Sequence, residues 1–130
     1  MSLSLSDRYY AVLASKIAGK AASAVEIVDS VLEAARKSGA SDVHLIPIES
    51  GLEVYWRIDG VLHAIETLQE EISANVVSRL KVQAGLLTYR SETPQEGRIQ
   101  SPGDADVEMR VSTFPTMFGE KAVVRLFAGS

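Results

Sequence analysis

The dipeptide Asp59-Gly60 restricts this chain more than any other feature. It stands between two apolar stretches, Val54, Trp56 and Ile58 before it and Val61 to Ile65 after it. A two-residue type I′ hairpin needs positive φ at both central residues, and Asp-Gly supplies it. The chain must therefore turn back on itself here as an antiparallel pair. Alternation puts Val54, Trp56 and Ile58 on one face and Tyr55, Arg57 and Asp59 on the other.

Further strands follow the same rule. Val43 and Leu45 alternate with Asp42 and His44, and Pro47 confines that strand to an edge or its own end. Arg98 to Ser101 and Val107 to Thr113 read as a pair joined across Pro102-Gly103-Asp104. Val107, Met109 and Val111 then point one way, and Glu108, Arg110 and Ser112 the other. Phe114-Pro115 is expected to end this strand. A last strand is expected from Lys121 to Phe127. The stretch Pro94 to Gly97 reads as a turn that delivers Arg98 onto its strand.

Helical spacing appears three times. Leu5, Tyr9, Val12, Leu13 and Ile17 share a face over residues 5–18. Ser23 followed by Glu26 is a capping box, in which each side chain satisfies the other's free backbone N–H. Val25, Val28, Leu32 and Ala35 recur behind it, with Arg36 and Lys37 at the negative end of the helix dipole and Gly39 as the cap. Ile72, Val76, Val77 and Leu80 share a face over residues 70–84. Residues 1–22 read as a leader with a helix or linker, and residues 23–130 as one domain. Helices mixed with antiparallel hairpins argue for an α+β domain, a sheet of about six strands packed by helices on one face.

Composition removes several function classes. The 130 residues carry a net charge of -4 and no cluster of Lys and Arg, so no nucleic-acid footprint is visible. There is no cysteine, which rules out disulfides and thiolate metal sites. Gly19-Lys20 fails as a phosphate loop, because Ala occupies positions 14 and 21 where the motif needs Gly and a hydroxyl. The chain is expected not to hydrolyse ATP by itself, and no catalytic residue is assigned within it. His44 and His63, with Asp42 and Asp59, lack metal-ligand spacing. No nucleophile elbow is present.

Arg57, Arg98, Arg110 and Arg125 fall on alternating strands. Most arginines in such places are a solvated face or half of an ion pair. The other reading is a planar cation on a stiff mount, presented to a phosphate.

The blocks "GASDVHL", "VYWRIDGVLH", "RLKVQAGL", "PQEGRI" and "VEMRVSTFPTMFGEKAVVRLF" occur in that order. Together they resemble the domain that precedes the ATPase core in type II secretion and type IV pilus assembly ATPases. The match runs from about Val25 to Phe127, and departs from the family pattern at Ile46, Leu87 and Glu92-Thr93-Pro94. The resemblance implies a PAS-like fold and a fragment lacking the P-loop core, with no cofactor of its own. For the full-length protein it implies ATP, magnesium and a homohexamer. It also implies a cytoplasmic place, peripheral to the inner membrane through secretion or pilus platform proteins. The domain would pack on ATPase cores of its own and neighbouring subunits. Arg98 and Arg110 match the family's phosphate-facing arginines, which implies contact in trans with the neighbour's nucleotide. A free-standing PAS-like ligand sensor and an adaptor for a membrane platform remain as alternatives.

Overall fold

The computed structural model describes residues 23–99 and 107–128. The helix expected over 5–18 and the Pro102-Gly103-Asp104 connection lie outside them. Helix α1 spans Ala24–Lys37. Strands β1, β2 and β3 span Asp42–Ile48, Gly51–Ile58 and Val61–Gln69. Helix α2 spans Glu70–Gln83. Strands β4, β5 and β6 span Gln95–Ile99, Val107–Thr116 and Gly119–Ala128. The fold is α+β, with six strands in the order β3-β2-β1-β6-β5-β4 and every pairing antiparallel.

The capping box forms as read. The Glu26 N–H donates to Ser23 Oγ and the Ser23 N–H donates to Glu26 Oε1, both at 3.2 Å. Helix α1 buries Ile27, Val28, Val31, Leu32 and Ala35, and α2 buries Val76, Val77 and Leu80. Val25 was expected on the buried face but is exposed; it lies in the first turn of the helix, two turns before buried Leu32.

Both helices cover one face of the sheet. One core row runs across five strands: Trp56 is opposite Val43, Val43 opposite Val124, Val124 opposite Val111, and Val111 opposite Gly97. Trp56, Val43, Val124 and Val111 have no exposed surface. The Asp59-Gly60 turn carries the expected positive φ values, 51° and 80°.

Three expectations need correction. Strand β4 begins at Gln95, so no turn occupies Pro94 to Gly97. Gly97 serves another purpose: a Cβ there would lie 2.5 Å from the Ala84 carbonyl oxygen and 2.9 Å from Leu86 Cδ2. The missing side chain lets the end of α2 rest directly on β4. Strand β5 continues through Pro115 to Thr116, because the last β4 pair is Gln95 with Thr113 and the proline removes no bond on that side. Strand β3 runs on to Gln69 rather than stopping at Ile65, and Ile65 is the extra residue of a bulge opposite Val54 and Tyr55. Strand β1 is central, and Pro47 falls beyond its last β6 pair, Leu45 with Ala122.

Candidate functional site

The face of the sheet turned away from the helices carries a second cross-strand row, one residue out of step with the Trp56 row. Arg98 on β4 is opposite Arg110 on β5, and Arg110 is opposite Arg125 on β6. Arg125 is opposite Asp42 on β1, and Asp42 is opposite Arg57 on β2. All four strand arginines singled out by the sequence thus come together in one row.

Two carboxylates serve these four guanidiniums. Glu108 lies 3.1 Å from Arg98 Nε and 3.6 Å from Arg110 Nε. Asp42 lies 3.3 Å from Arg125 Nε and 3.9 Å from Arg57 Nε. The Ser41 hydroxyl donates to Asp42 Oδ2 at 2.8 Å, which fixes that carboxylate further. The Arg110 guanidinium also stands 5.7 Å from the centre of the Phe127 ring, within cation–π range.

The side chains of Arg98 and Arg110 are 60% and 49% exposed. Ion pairs so wet are worth little, about 0–1 kcal/mol. Like charges directly opposite on neighbouring strands are destabilising by a similar amount. The local ion pair with Glu108 is therefore real, but it does not account for lining cations up. One carboxylate between two guanidiniums leaves N–H donors turned to solvent, and guanidinium donors suit phosphate or carboxylate oxygens.

His44 lies on the same face, opposite Tyr55 and Val123. Burial pushes its imidazole below the ordinary value of 6.5; Arg57 and Lys121 add to this and Asp42 opposes it. Its Nε2 is buried without a hydrogen-bond partner. Among the described residues, no three His, Asp or Glu side chains converge as metal ligands would.

One feature of the helix-covered side escaped the sequence reading. Lys81 on α2 is fully buried, and its Nζ donates to both Glu120 carboxylate oxygens at 2.9 Å and to the Arg90 carbonyl at 2.7 Å. The only sequence signal is its place four residues after Val77, on the same helical face.

A model of the family described as "Type II/IV secretion system protein" matches residues 18–130. The chain belongs to this family. Among the relatives of this secretion-family domain is the "Type IV pilus assembly ATPase TfpB" of Acinetobacter baylyi. It is 41% identical over 105 residues, which cover 79% of this chain and 18% of that protein. The "Putative type II secretion system protein E" of Escherichia coli is 38% identical over 107 residues, 82% of this chain and 22% of that protein. The secretion-family domain thus spans about a fifth of the length of these relatives. A crystal structure of the pilus retraction motor PilT with bound ADP superposes with a TM-score of 0.52 at 17% identity, over 76% of this chain and 28% of that one. The Legionella pneumophila ATPase DotB gives 0.53 at 16% identity, over 84% and 31%. At such identities the likeness is one of fold. No helix among the described residues is long and apolar enough to cross a membrane.

Proposed function

We propose that this chain is the domain ahead of the ATPase core in a hexameric type II secretion or type IV pilus assembly ATPase. It packs on the core of a neighbouring subunit and turns Arg98 and Arg110 toward the nucleotide held there. The full-length protein works in the cytoplasm, at the inner membrane, through secretion or pilus platform proteins.

The observation that carries this reading is the direct opposition of Arg98 and Arg110 on an open sheet face, with Glu108 shared between them. A pair of forked donors on adjacent strands matches the spread of oxygens on a phosphate chain. Strand backbone is a stiffer mount than a loop. Nucleotide and magnesium would supply the phosphoryl chemistry from the neighbour's core. The two arginines would orient the phosphates and offset negative charge, an effect worth roughly a thousandfold or more in rate for an arginine finger. Against the ligand-sensor reading, the gap between helices and sheet among Val28, Val31, Leu32, Leu45, Val76 and Leu80 measures about 10 Å³ and is wholly apolar. In its favour stands a more open hollow of about 270 Å³ lined by Ser73, Ser78, Thr88, Ser91 and Glu120.

The test is ATP turnover by the full-length hexamer carrying Arg98→Ala or Arg110→Ala. Turnover is expected to collapse in both, with the hexamer intact. Wild-type rates in both variants would reduce the arginines to the polar side of a hairpin.

A further inference from the structure

We propose that Lys81 and Glu120 form a buried clamp that positions Arg98, acting through the Arg90 carbonyl and Gln95. The inference rests on the reading of Arg98 given above and adds the residues that hold it in place.

Strand β4 needs holding. Among the described residues it is an edge strand of five residues, paired with β5 alone. Short edges with a free side open readily. Two ties restrain it. Gly97, the residue before Arg98, lies against the Ala84 carbonyl at the end of α2. The second tie is a polar network. The Gln95 Nε2 donates to the carbonyls of Leu87 and Arg90, both at 2.9 Å, and its Oε1 accepts from the Leu87 N–H at 2.8 Å. The Arg90 carbonyl also accepts from Lys81 Nζ, whose remaining partner is the Glu120 carboxylate. One carbonyl thus joins the side chain that opens β4 to an ion pair bridging α2 and β6.

The chemistry of that ion pair points away from simple stabilisation. The Lys81 side chain is 1% exposed and that of Glu120 10%. Desolvating two charges costs about as much as their attraction returns, so an apolar pair of similar volume is often as stable or more so. What an apolar pair cannot do is hold the Arg90 carbonyl. From α2, Lys81 donates to three acceptor oxygens in two other segments, the Arg90 carbonyl and the Glu120 carboxylate on β6, which is a positional constraint on where β4 starts and hence on where Arg98 points. Displacing a positioned group by about 1 Å can lower a rate by roughly a hundredfold.

The experiment uses the full-length enzyme with Lys81→Met and Glu120→Leu combined, since either change alone strands a buried charge. The double variant is expected to melt within about 5 °C of wild type, as replaced buried pairs usually do. Hydrogen exchange in peptides covering residues 86–99 is expected to speed up by about tenfold or more, with helix α1 unchanged. The kcat for ATP is expected to fall by roughly tenfold or more while KM stays within about threefold, the pattern for an interaction made in the transition state. In an Arg98→Ala background the double variant is expected to cost nothing further, because two residues acting through one group are not additive. Wild-type exchange over 86–99, or a kcat loss that multiplies with that of Arg98→Ala, overturns the clamp while leaving Arg98 itself untouched. A melting temperature lower by about 15 °C or more shows a pair that supports the whole domain and also overturns it. If Arg98→Ala alone turns over ATP at the wild-type rate, the reading of Arg98 fails first, and the catalytic role of the clamp fails with it.

Discussion

Arg98 lies directly across from Arg110 on the neighbouring strand, and both lean on one carboxylate, Glu108. Removing that carboxylate leaves two cations face to face. Glu108→Gln is expected to destabilise the domain by about 0.5–1 kcal/mol at low salt, the scale of a cross-strand like-charge contact. Salt at 1 M shortens the screening length to about 3 Å and should erase most of the loss. Urea titrations at two ionic strengths measure both. Arg98→Ala and Arg110→Ala are expected to shift the same midpoint by no more than about 1 kcal/mol.

Trp56 is fully buried on the helix-covered face, opposite Val43. Trp56→Ala is expected to cost about 3–5 kcal/mol, the usual loss for deleting a large buried aromatic. A denaturant midpoint that does not move would contradict the strand register.

Gly97 tests the approach of α2 to β4. Alanine there sets a methyl carbon 2.5 Å from the Ala84 carbonyl oxygen. Backbone must move, and Gly97→Ala is expected to cost about 1–3 kcal/mol, as overpacking does. Equilibrium unfolding of the variant reads this directly, and wild-type stability would mean the contact is looser than drawn.

His44 makes stability depend on pH in a defined direction. Burial holds its pKa below 6.5 in the folded domain. The unfolded chain therefore binds the proton first, and stability rises with pH across the window between the two values. The contribution is complete above 6.5 and is lost as pH falls below it. The slope from one group cannot exceed about 1.4 kcal/mol per pH unit. Comparing wild type with His44→Gln between pH 7.5 and 5.5 isolates it: the wild type should lose more stability on acidification, and parallel curves would count against it.

What could be read in the sequence was what local chemistry decides. The Ser23–Glu26 cap, the Asp59-Gly60 hairpin and the inward set Val54 and Trp56 each depend on residues a few positions apart. The outward face of Arg110 was legible for the same reason, from alternation along β5, whereas its opposition to Arg98 depends on a register that the expected turn at Pro94 to Gly97 did not give. Arg125 and Asp42 meet across 83 positions, and only the strand order brings them together. Gly97 misled because glycine marks both turns and close approaches, and the partner in the approach, Ala84, is not adjacent in the chain. The place of Lys81 one turn after Val77 was a weak sign of burial, because charged side chains are rarely buried without a partner and Glu120 is 39 residues away.

Strand β5 pairs with β6 over ten consecutive positions without a bulge. Val111 and Thr113 fill the core from one side while Arg110 and Ser112 face outward from the other. Inserting or deleting a single residue there would exchange the two sets, sending arginine into the interior and valine to the surface. This span can change its side chains over evolutionary time but not its length. An alignment of relatives should therefore show substitutions between Val107 and Thr116 and no gaps, with insertions gathered at the hairpin tip around Met117 and Phe118.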